Sequence, residues 1–121
     1  IIWRGDTFYI QKRSEDKMLG GLWEFPGGKI EKGETLELAL LSKLKEECNF
    51  NARIIKKATS IKHRYSHYSI TMHCYYCEEK NDKTVSITNS NWIKKNQISQ
   101  YSFPKANHKI FNFLNKYGWN L

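Results

Sequence analysis

A glycine-rich loop followed at once by an amphipathic helix constrains the fold of this chain more than any other feature. The loop covers residues 20–34, GGLWEFPGGKIEKGE, in which two glycine pairs flank Pro26. Glycine lets the backbone turn tightly and approach a ligand closely, while proline restricts the turn. Thr35 then stands where a helix N-cap is expected, and apolar residues recur at helical spacing as far as residue 50, namely Leu36, Leu40, Leu41, Leu44 and Cys48. The pattern predicts a rigid loop held at the start of a helix.

The predicted helix also carries a charged face beside the loop. Lys43, Glu46 and Glu47 lie at i, i+3 and i+4 and therefore share one side. Carboxylate oxygens suit a divalent cation and backbone donors suit phosphate, so loop and helix together indicate a site for a metal ion and a pyrophosphate. The alternative is a βα turn followed by a solvated charged face. The ammonium of Lys43 would repel the cation, and at this spacing we expect it to pair with Glu47.

The length and composition fit one compact domain, residues 1–121, with a single core. Of the 121 residues, 40% are hydrophobic and 14% aromatic. No apolar run approaches the roughly 20 residues that span a membrane, and the sequence has no signal-peptide pattern. We therefore expect a cytoplasmic protein without a membrane partner. Because Ile1 lies within an apparent strand, we also expect the N-terminal strand to be truncated and the domain to belong to a longer chain.

Charge and cysteine content bear on the partners and on the cellular compartment. A net charge of +8 favours a polyanionic partner such as DNA or a nucleotide, although a lysine-rich composition alone would give the same balance. Three cysteines, an odd number, favour a reducing cytoplasm without a disulfide framework. Cys74 and Cys77 lie in a strand-like run and are predicted to point to opposite faces, so a zinc site is not expected there.

The remaining periodicities predict an α/β fold, with a mixed sheet held between two helices. Alternating or β-branched runs predict strands at residues 1–3, 7–11, 53–59, 69–78, 85–87 and 91–93, with a turn at 81–83. A final helix is predicted to begin at Phe103 and Pro104. Its apolar stripe consists of Ala106, Ile110, Phe113, Leu114 and Tyr117.

Two further features have the chemistry of base recognition. The loop at residues 62–68, KHRYSHY, interleaves basic, hydroxyl and aromatic side chains that can stack on a base, bond its edge and contact phosphate. The alternative is a polar hairpin turn. Asn107, near the start of the last helix, can donate and accept at once, which suits the mixed edge of a purine. The alternative is an Asn bonded to nearby backbone.

The loop and helix together resemble the Nudix box, Gly-x5-Glu-x7-Arg-Glu-apolar-x-Glu-Glu-x-Gly-apolar. The matching positions are Gly28, Glu34, Leu44, Glu46, Glu47 and Phe50. The resemblance implies the Nudix fold. In a hydrolase it also implies Mg²⁺ or Mn²⁺ held by Gly27, Glu34, Glu46 and Glu47. The carboxylates of Glu46 and Glu47 would then be the catalytic groups. Ser42 replaces the Arg, Lys43 the first Glu and Asn49 the Gly. These departures predict a retained fold with a degenerate hydrolytic site.

Residues 61–73 and 103–110 are similar to the C-terminal domain of the adenine glycosylase MutY, which recognises 8-oxoguanine in DNA. The resemblance implies that Tyr65, Ser66 and His67 read the oxidised base. Basic residues around them would hold phosphates: Lys29, Lys62 and Arg64. Any base excision would belong to a covalently linked glycosylase catalytic domain outside this chain. Our leading interpretation of the sequence is therefore a module that recognises 8-oxoguanine in DNA.

The alternative interpretation is a nucleotide-pool hydrolase of the MutT family. Residues 24–31, EFPGGKIE, and 103–107, FPKAN, are similar to that family. The resemblance implies that Arg13 contacts an oxidised purine nucleotide and that Asn107 bonds its base. The reaction would be metal-dependent hydrolysis of 8-oxo-dGTP or another nucleoside diphosphate derivative. The family has an acidic ligand before the residue matching Trp92, where this chain has Asn91. A nucleotide-binding protein without catalysis is a third possibility.

Overall fold

The computed structural model describes residues 1–16, 19–49, 51–80 and 89–119. Within these ranges the strands are β1 (Ile2–Arg4), β2 (Thr7–Lys12), β3 (Trp23–Glu24), β4 (Ala52–Arg64), β5 (Ser69–Glu79) and β6 (Ser90–Ile93). The helices are α1 (Leu36–Cys48), a 3₁₀ helix (Lys95–Gln100) and α2 (Lys105–Tyr117). Phe50 of the motif, the predicted turn at 81–83 and the predicted strand at 85–87 lie outside the described residues.

The described strands form one mixed sheet. Its order is β3-β2-β1-β5-β4, and β6 pairs with β2. β1 runs parallel to β5, with Ile2 opposite Cys77, while the other paired strands are antiparallel. The predicted α/β fold, a mixed sheet between helices, is confirmed.

Alternation along β2 separates the core into two layers. Phe8 and Ile10 point to one face of the sheet and pack in a cluster with Leu114 of α2. Tyr9 points to the other face and packs in a cluster with Leu44 and Cys48 of α1. Successive side chains of a strand face opposite sides, so one strand supplies apolar surface to both helices. The two clusters hold α1 and α2 on opposite faces of the sheet.

The same alternation in β5 confirms the predicted orientation of the two cysteines. Cys74 packs against the cluster on the α2 face, and Cys77 belongs to the cluster on the α1 face. All three cysteines of the chain are free thiols. In the part of the chain that the structure describes, no helix is both long enough and apolar enough to cross a membrane.

The ends of α1 are set by capping chemistry. The Thr35 hydroxyl accepts a hydrogen bond of 3.2 Å from the Leu38 amide, as the N-cap prediction requires. At the other end Asn49 is left-handed, with φ 56° and ψ 30°, and its amide donates to the Leu44 carbonyl. A left-handed C-cap favours glycine and tolerates asparagine. Asn49 can therefore replace the Gly of the Nudix box without changing how the helix ends.

Replacing Thr35 with alanine should destabilise the domain by about 1 kcal/mol, because the Leu38 amide loses its capping acceptor. Urea unfolding followed by circular dichroism would measure the change. Ser42→Ala is the matched control, since Ser42 is exposed inside the same helix and alanine is a better helix former. Equal stability of the Thr35→Ala variant and the wild type would contradict the capping role.

Two of the differences from the predicted boundaries affect residues assigned to the site. β4 extends to Arg64 rather than ending at residue 59, so the first three residues of the predicted 62–68 loop are strand. Its pairing with β5 continues to Arg64 opposite Ser69, with Lys62 and Arg64 exposed and His63 half-buried. Polar residues are tolerated there because one face of an antiparallel pair is solvated. β3 lies inside the predicted glycine loop, since Glu24 pairs with Gln11.

Candidate functional site

The start of the glycine loop is tied to the sheet through Glu24. Gln11 Nε2 donates to Glu24 Oε2 at 3.2 Å, and Arg13 Nη1 forms an ion pair with Glu24 Oε1 at 2.6 Å. The Cys48 thiol in turn donates to Gln11 Oε1 at 3.0 Å. This network joins β2, β3 and the end of α1. Arg13, predicted to contact a nucleotide, thus already holds a loop carboxylate, and its predicted role stays a prediction.

Glu24 was not predicted as a site residue and joins the site through its contacts with Gln11 and Arg13. Burial raises the pKa of the Cys48 thiol to about 12, and the nearby carboxylates of Glu47 and Glu24 act in the same direction. Both carboxylates therefore lie close to one buried sulfur, at the junction of loop and helix. The EFPGGKIE run contained Glu24, but only its partners across the sheet identify it as part of the site.

The side chain of Lys43 extends from α1 toward the glycine loop and not toward other residues of the helix. A Cβ placed on Gly28 would be 3.0 Å from Cδ and 3.1 Å from Cγ of Lys43. The Lys43 ammonium pairs with Glu31 Oε1 at 3.9 Å. The predicted pairing with Glu47 is therefore wrong. A Lys one turn before a Glu is the weaker order of a helical ion pair, and the bare backbone of Gly28 offers the Lys43 stem a packing surface.

The predicted metal ligands do not form a complete cation site. Among the described residues, no group of three or more His, Cys, Asp or Glu side chains could hold a metal ion. Glu46 and Glu47 are exposed, and Glu34 Oε1 accepts the Glu31 amide at 2.9 Å within the loop. A divalent cation prefers six or more oxygen ligands and is repelled by an ammonium such as that of Lys43. These side chains by themselves do not complete a divalent cation site, and an ion there would need further ligands such as phosphate oxygens or water.

Asn91, at the position where the MutT resemblance implies an acidic ligand, is bonded to nearby residues. Its Nδ2 donates to the Tyr101 hydroxyl at 2.8 Å, and its Oδ1 accepts the Trp92 amide at 2.9 Å. Both polar atoms of the Asn91 amide thus have protein partners. The side chain orders the start of β6 and adds no negative charge for a cation.

The tip of the β4–β5 hairpin folds against the start of α2. The Tyr65 ring stacks on Tyr68, with centroids 4.9 Å apart and an interplanar angle of 28°. Burial is the main cause that raises the pKa of the Tyr65 hydroxyl, whereas a hydrogen bond with the Ala106 backbone and the charge of Arg13 lower it. Tyr65 therefore lies beside the first turn of α2. Ser66 and His67 are exposed at the tip.

Asn107 is buried in the first turn of α2, where its backbone amide donates to the Pro104 carbonyl at 3.0 Å. It is the one buried polar residue in the described part of the chain, with 6% exposure. Lys109 Nζ donates to the Lys62 carbonyl at 3.0 Å and so ties the hairpin to α2. The side chains of Lys29, Lys62 and Arg64 are exposed, so their predicted phosphate contacts stay predictions.

His63 is a titratable residue near the end of β4, next to Tyr65 in the hairpin. Desolvation lowers the pKa of the His63 imidazole, and the nearby ammonium groups of Lys109 and Lys105 lower it further. Its ring lies 4.5 Å from that of Tyr65 at an angle of 74°. These effects disfavour a protonated His63, so lysine and arginine supply the positive charge of this region.

Comparison with known proteins agrees with this architecture. A family model described as NUDIX domain matches residues 1–113. The chain is 36% identical over 80 residues to an 8-oxo-dGTP diphosphatase of Proteus vulgaris, an alignment covering 65% of this chain and 71% of that protein. It is 28% identical over 118 residues to an 8-oxo-dGTP diphosphatase of Buchnera aphidicola subsp. Schizaphis graminum, covering 96% of this chain and 89% of that protein.

A solved structure of the same fold bears on the MutY resemblance. The crystal structure of the C-terminal domain of mouse MUTYH in complex with human PCNA aligns with a TM-score of 0.65 and 19% identity, covering 95% of this chain and 81% of that chain. Similarity at this identity concerns the fold alone.

Nudix hydrolases generally use divalent metal ions, a requirement that the side chains around Lys43 meet only incompletely. Through the match over residues 1–113, the chain belongs to the Nudix domain family.

Proposed function

We propose that this domain is a MutT-type Nudix domain that binds and hydrolyses an oxidised purine nucleoside triphosphate such as 8-oxo-dGTP. The relatives named 8-oxo-dGTP diphosphatase support this alternative better than the lesion-recognition interpretation. One of them aligns with 96% of the chain, which includes both the glycine loop and α2. Recognition of 8-oxoguanine in DNA stays a prediction from the sequence.

The observation that carries the proposal is the packing of the glycine loop against α2, which brings the two halves of the site together. The Trp23 amide of β3 donates to the Ser102 carbonyl at 2.8 Å. The Phe25 ring of the loop lies 5.6 Å from the Phe111 ring of α2. The loop predicted to approach phosphates and the helix start that carries Asn107 are therefore neighbours. This arrangement suits a ligand with a base at one end and a phosphate chain at the other.

Each half offers chemistry that matches one part of the nucleotide. The Asn107 amide can donate and accept toward the edge of an oxidised purine, and Tyr65 offers an aromatic surface for stacking. On the phosphate side, the loop supplies backbone amides and the exposed Lys29 supplies positive charge. Glu46 and Glu47, exposed on α1, are the acids available to the reaction.

The test is turnover of 8-oxo-dGTP with Mg²⁺, compared with dGTP. We expect the wild type to release product from 8-oxo-dGTP, and Glu47→Gln to lower the rate by about a hundredfold, the low end of the contribution of a positioned acid–base group. The matched control is Glu37→Gln on the same helix. Glu37 accepts the Tyr75 hydroxyl at 3.2 Å, and glutamine keeps an acceptor there.

Background turnover with both Mg²⁺ and Mn²⁺ would contradict the hydrolase. If the domain then bound duplexes containing 8-oxoguanine better than undamaged duplexes, the lesion-recognition interpretation would replace it. A Glu37→Gln variant as inactive as Glu47→Gln would show that the loss reflects the helix rather than the acidic residue at the site.

A further inference from the structure

We propose that the Lys43 ammonium is a built-in cation of this site, which binds the phosphate chain of the nucleotide in the absence of a divalent metal ion. The inference rests on the proposed nucleotide site. It concerns position 43, where a positively charged Lys replaces the first Glu of the Nudix box.

The placement of Lys43 follows from its packing on the loop. The aliphatic stem lies against Gly28, whose missing side chain leaves room for it. The Lys43 side chain is 20% exposed, low for a lysine at the edge of a helix. A lysine buries its stem and keeps its charged end at the solvent boundary. The ammonium is thereby held beside Gly28 and Glu31 of the glycine loop.

The ion pair that the structure gives Lys43 is a weak one. Its partner Glu31 Oε1 is 3.9 Å away, and the Glu31 side chain is 70% exposed. Solvated pairs at such distances contribute little to stability. A triphosphate offers several charged oxygens that could replace Glu31 at shorter range, and charge-assisted contacts of that kind are the strong ones. The ammonium is therefore available to an anion at the loop.

The charges around the loop favour phosphate binding by the Lys43 ammonium over phosphate binding by a side-chain-held metal ion. The described residues provide no cluster of three metal-ligating side chains, and Asn91 is neutral where the family has an acid. A fixed ammonium needs no such cluster, because it is covalently part of the chain. Its three N–H donors can each contact a phosphate oxygen.

The experiment measures binding in a metal chelator, with two probes that share the oxidised base: 8-oxo-dGTP and the phosphate-free nucleoside 8-oxo-deoxyguanosine. We expect the wild type to bind the triphosphate more than about tenfold more tightly than the nucleoside, since one charge-assisted hydrogen bond contributes about that factor and the loop amides and Lys29 add to it. Lys43→Met should lower triphosphate affinity by about tenfold and leave nucleoside binding unchanged.

Two further variants make the result specific to position 43. Lys43→Arg keeps the charge and should keep most of the preference for the triphosphate. Lys45→Met removes the same charge from an exposed position on α1 and should leave the preference for the triphosphate unchanged. Thermal unfolding of each variant checks that the fold is retained.

The outcomes separate this proposal from the proposed function. Tight triphosphate binding only when Mg²⁺ is present would overturn the role of Lys43 and leave the nucleotide site standing. An equal loss in Lys43→Met and Lys45→Met would also overturn it, because general charge would then explain the affinity. Failure to bind 8-oxo-dGTP under either condition would reject the proposed function and this inference with it.

Discussion

Lys43→Glu is expected to exchange metal-independent nucleotide binding for metal-dependent binding. The substitution removes a positive charge and adds a negative one on the helix face shared with Glu46 and Glu47. Near a protein surface, a unit charge a few ångströms from a cation contributes on the order of a few kcal/mol, so affinity for Mn²⁺ should rise by at least about tenfold. Calorimetric titration with Mn²⁺ alone, without nucleotide, measures this change directly.

The same variant should turn over 8-oxo-dGTP faster with Mg²⁺ and lose its affinity for the triphosphate in a chelator. Lys45→Glu is the control with an identical change in charge at an exposed position of α1. If the Lys45 variant gained as much Mn²⁺ affinity, the effect would be one of net charge. If neither variant gained affinity, the predicted metal face on α1 would be wrong.

Phe8→Ala should destabilise the domain by about 3–5 kcal/mol, the usual cost of removing a buried phenylalanine. Phe8 is completely buried in β2, and its ring lies 5.5 Å from Trp3, 5.7 Å from Phe25 and 5.3 Å from Trp119. Such a loss is a large part of the roughly 5–15 kcal/mol that stabilises a typical domain. Urea unfolding monitored by tryptophan fluorescence and circular dichroism would measure it.

This substitution should also loosen the site, because Phe25 of the glycine loop packs on Phe8. Tyr117→Ala is the control. Tyr117 was predicted in the apolar stripe of α2 but is 66% exposed, so its removal should cost less than about 1 kcal/mol. A Phe8→Ala variant as stable as the wild type would contradict the role of Phe8 in this aromatic core.

Local patterns predicted the parts of the structure that depend on local physics. The alternation in β2 and β5, the apolar stripe of α1 and the N-cap at Thr35 were correct, because strand and helix periodicity and capping act within a few residues. Polar strand residues were the weak point. The end of β4 at residues 62–64 was assigned to a loop, since a solvated strand face has a loop-like composition.

The site shows the same division. The residues of the glycine loop and the acids of α1 could be named from spacing alone. The Glu24 network could not, because it joins residues of β2, β3 and α1 whose meeting depends on sheet pairing. The ion pair of Lys43 was also misassigned, since spacing along a helix says nothing of the loop packed across it.

By itself the sequence determined the two-layer α/β pattern, the loop that precedes α1 and the charge at position 43, because these follow from residue type and short spacing. Only the tertiary structure decided that Lys43 lies over Gly28 and that Phe25 of the loop packs on Phe111 of α2. Those contacts join residues far apart in the chain. They exist because the sheet buries one face against each helix, and that packing sets which distant side chains meet.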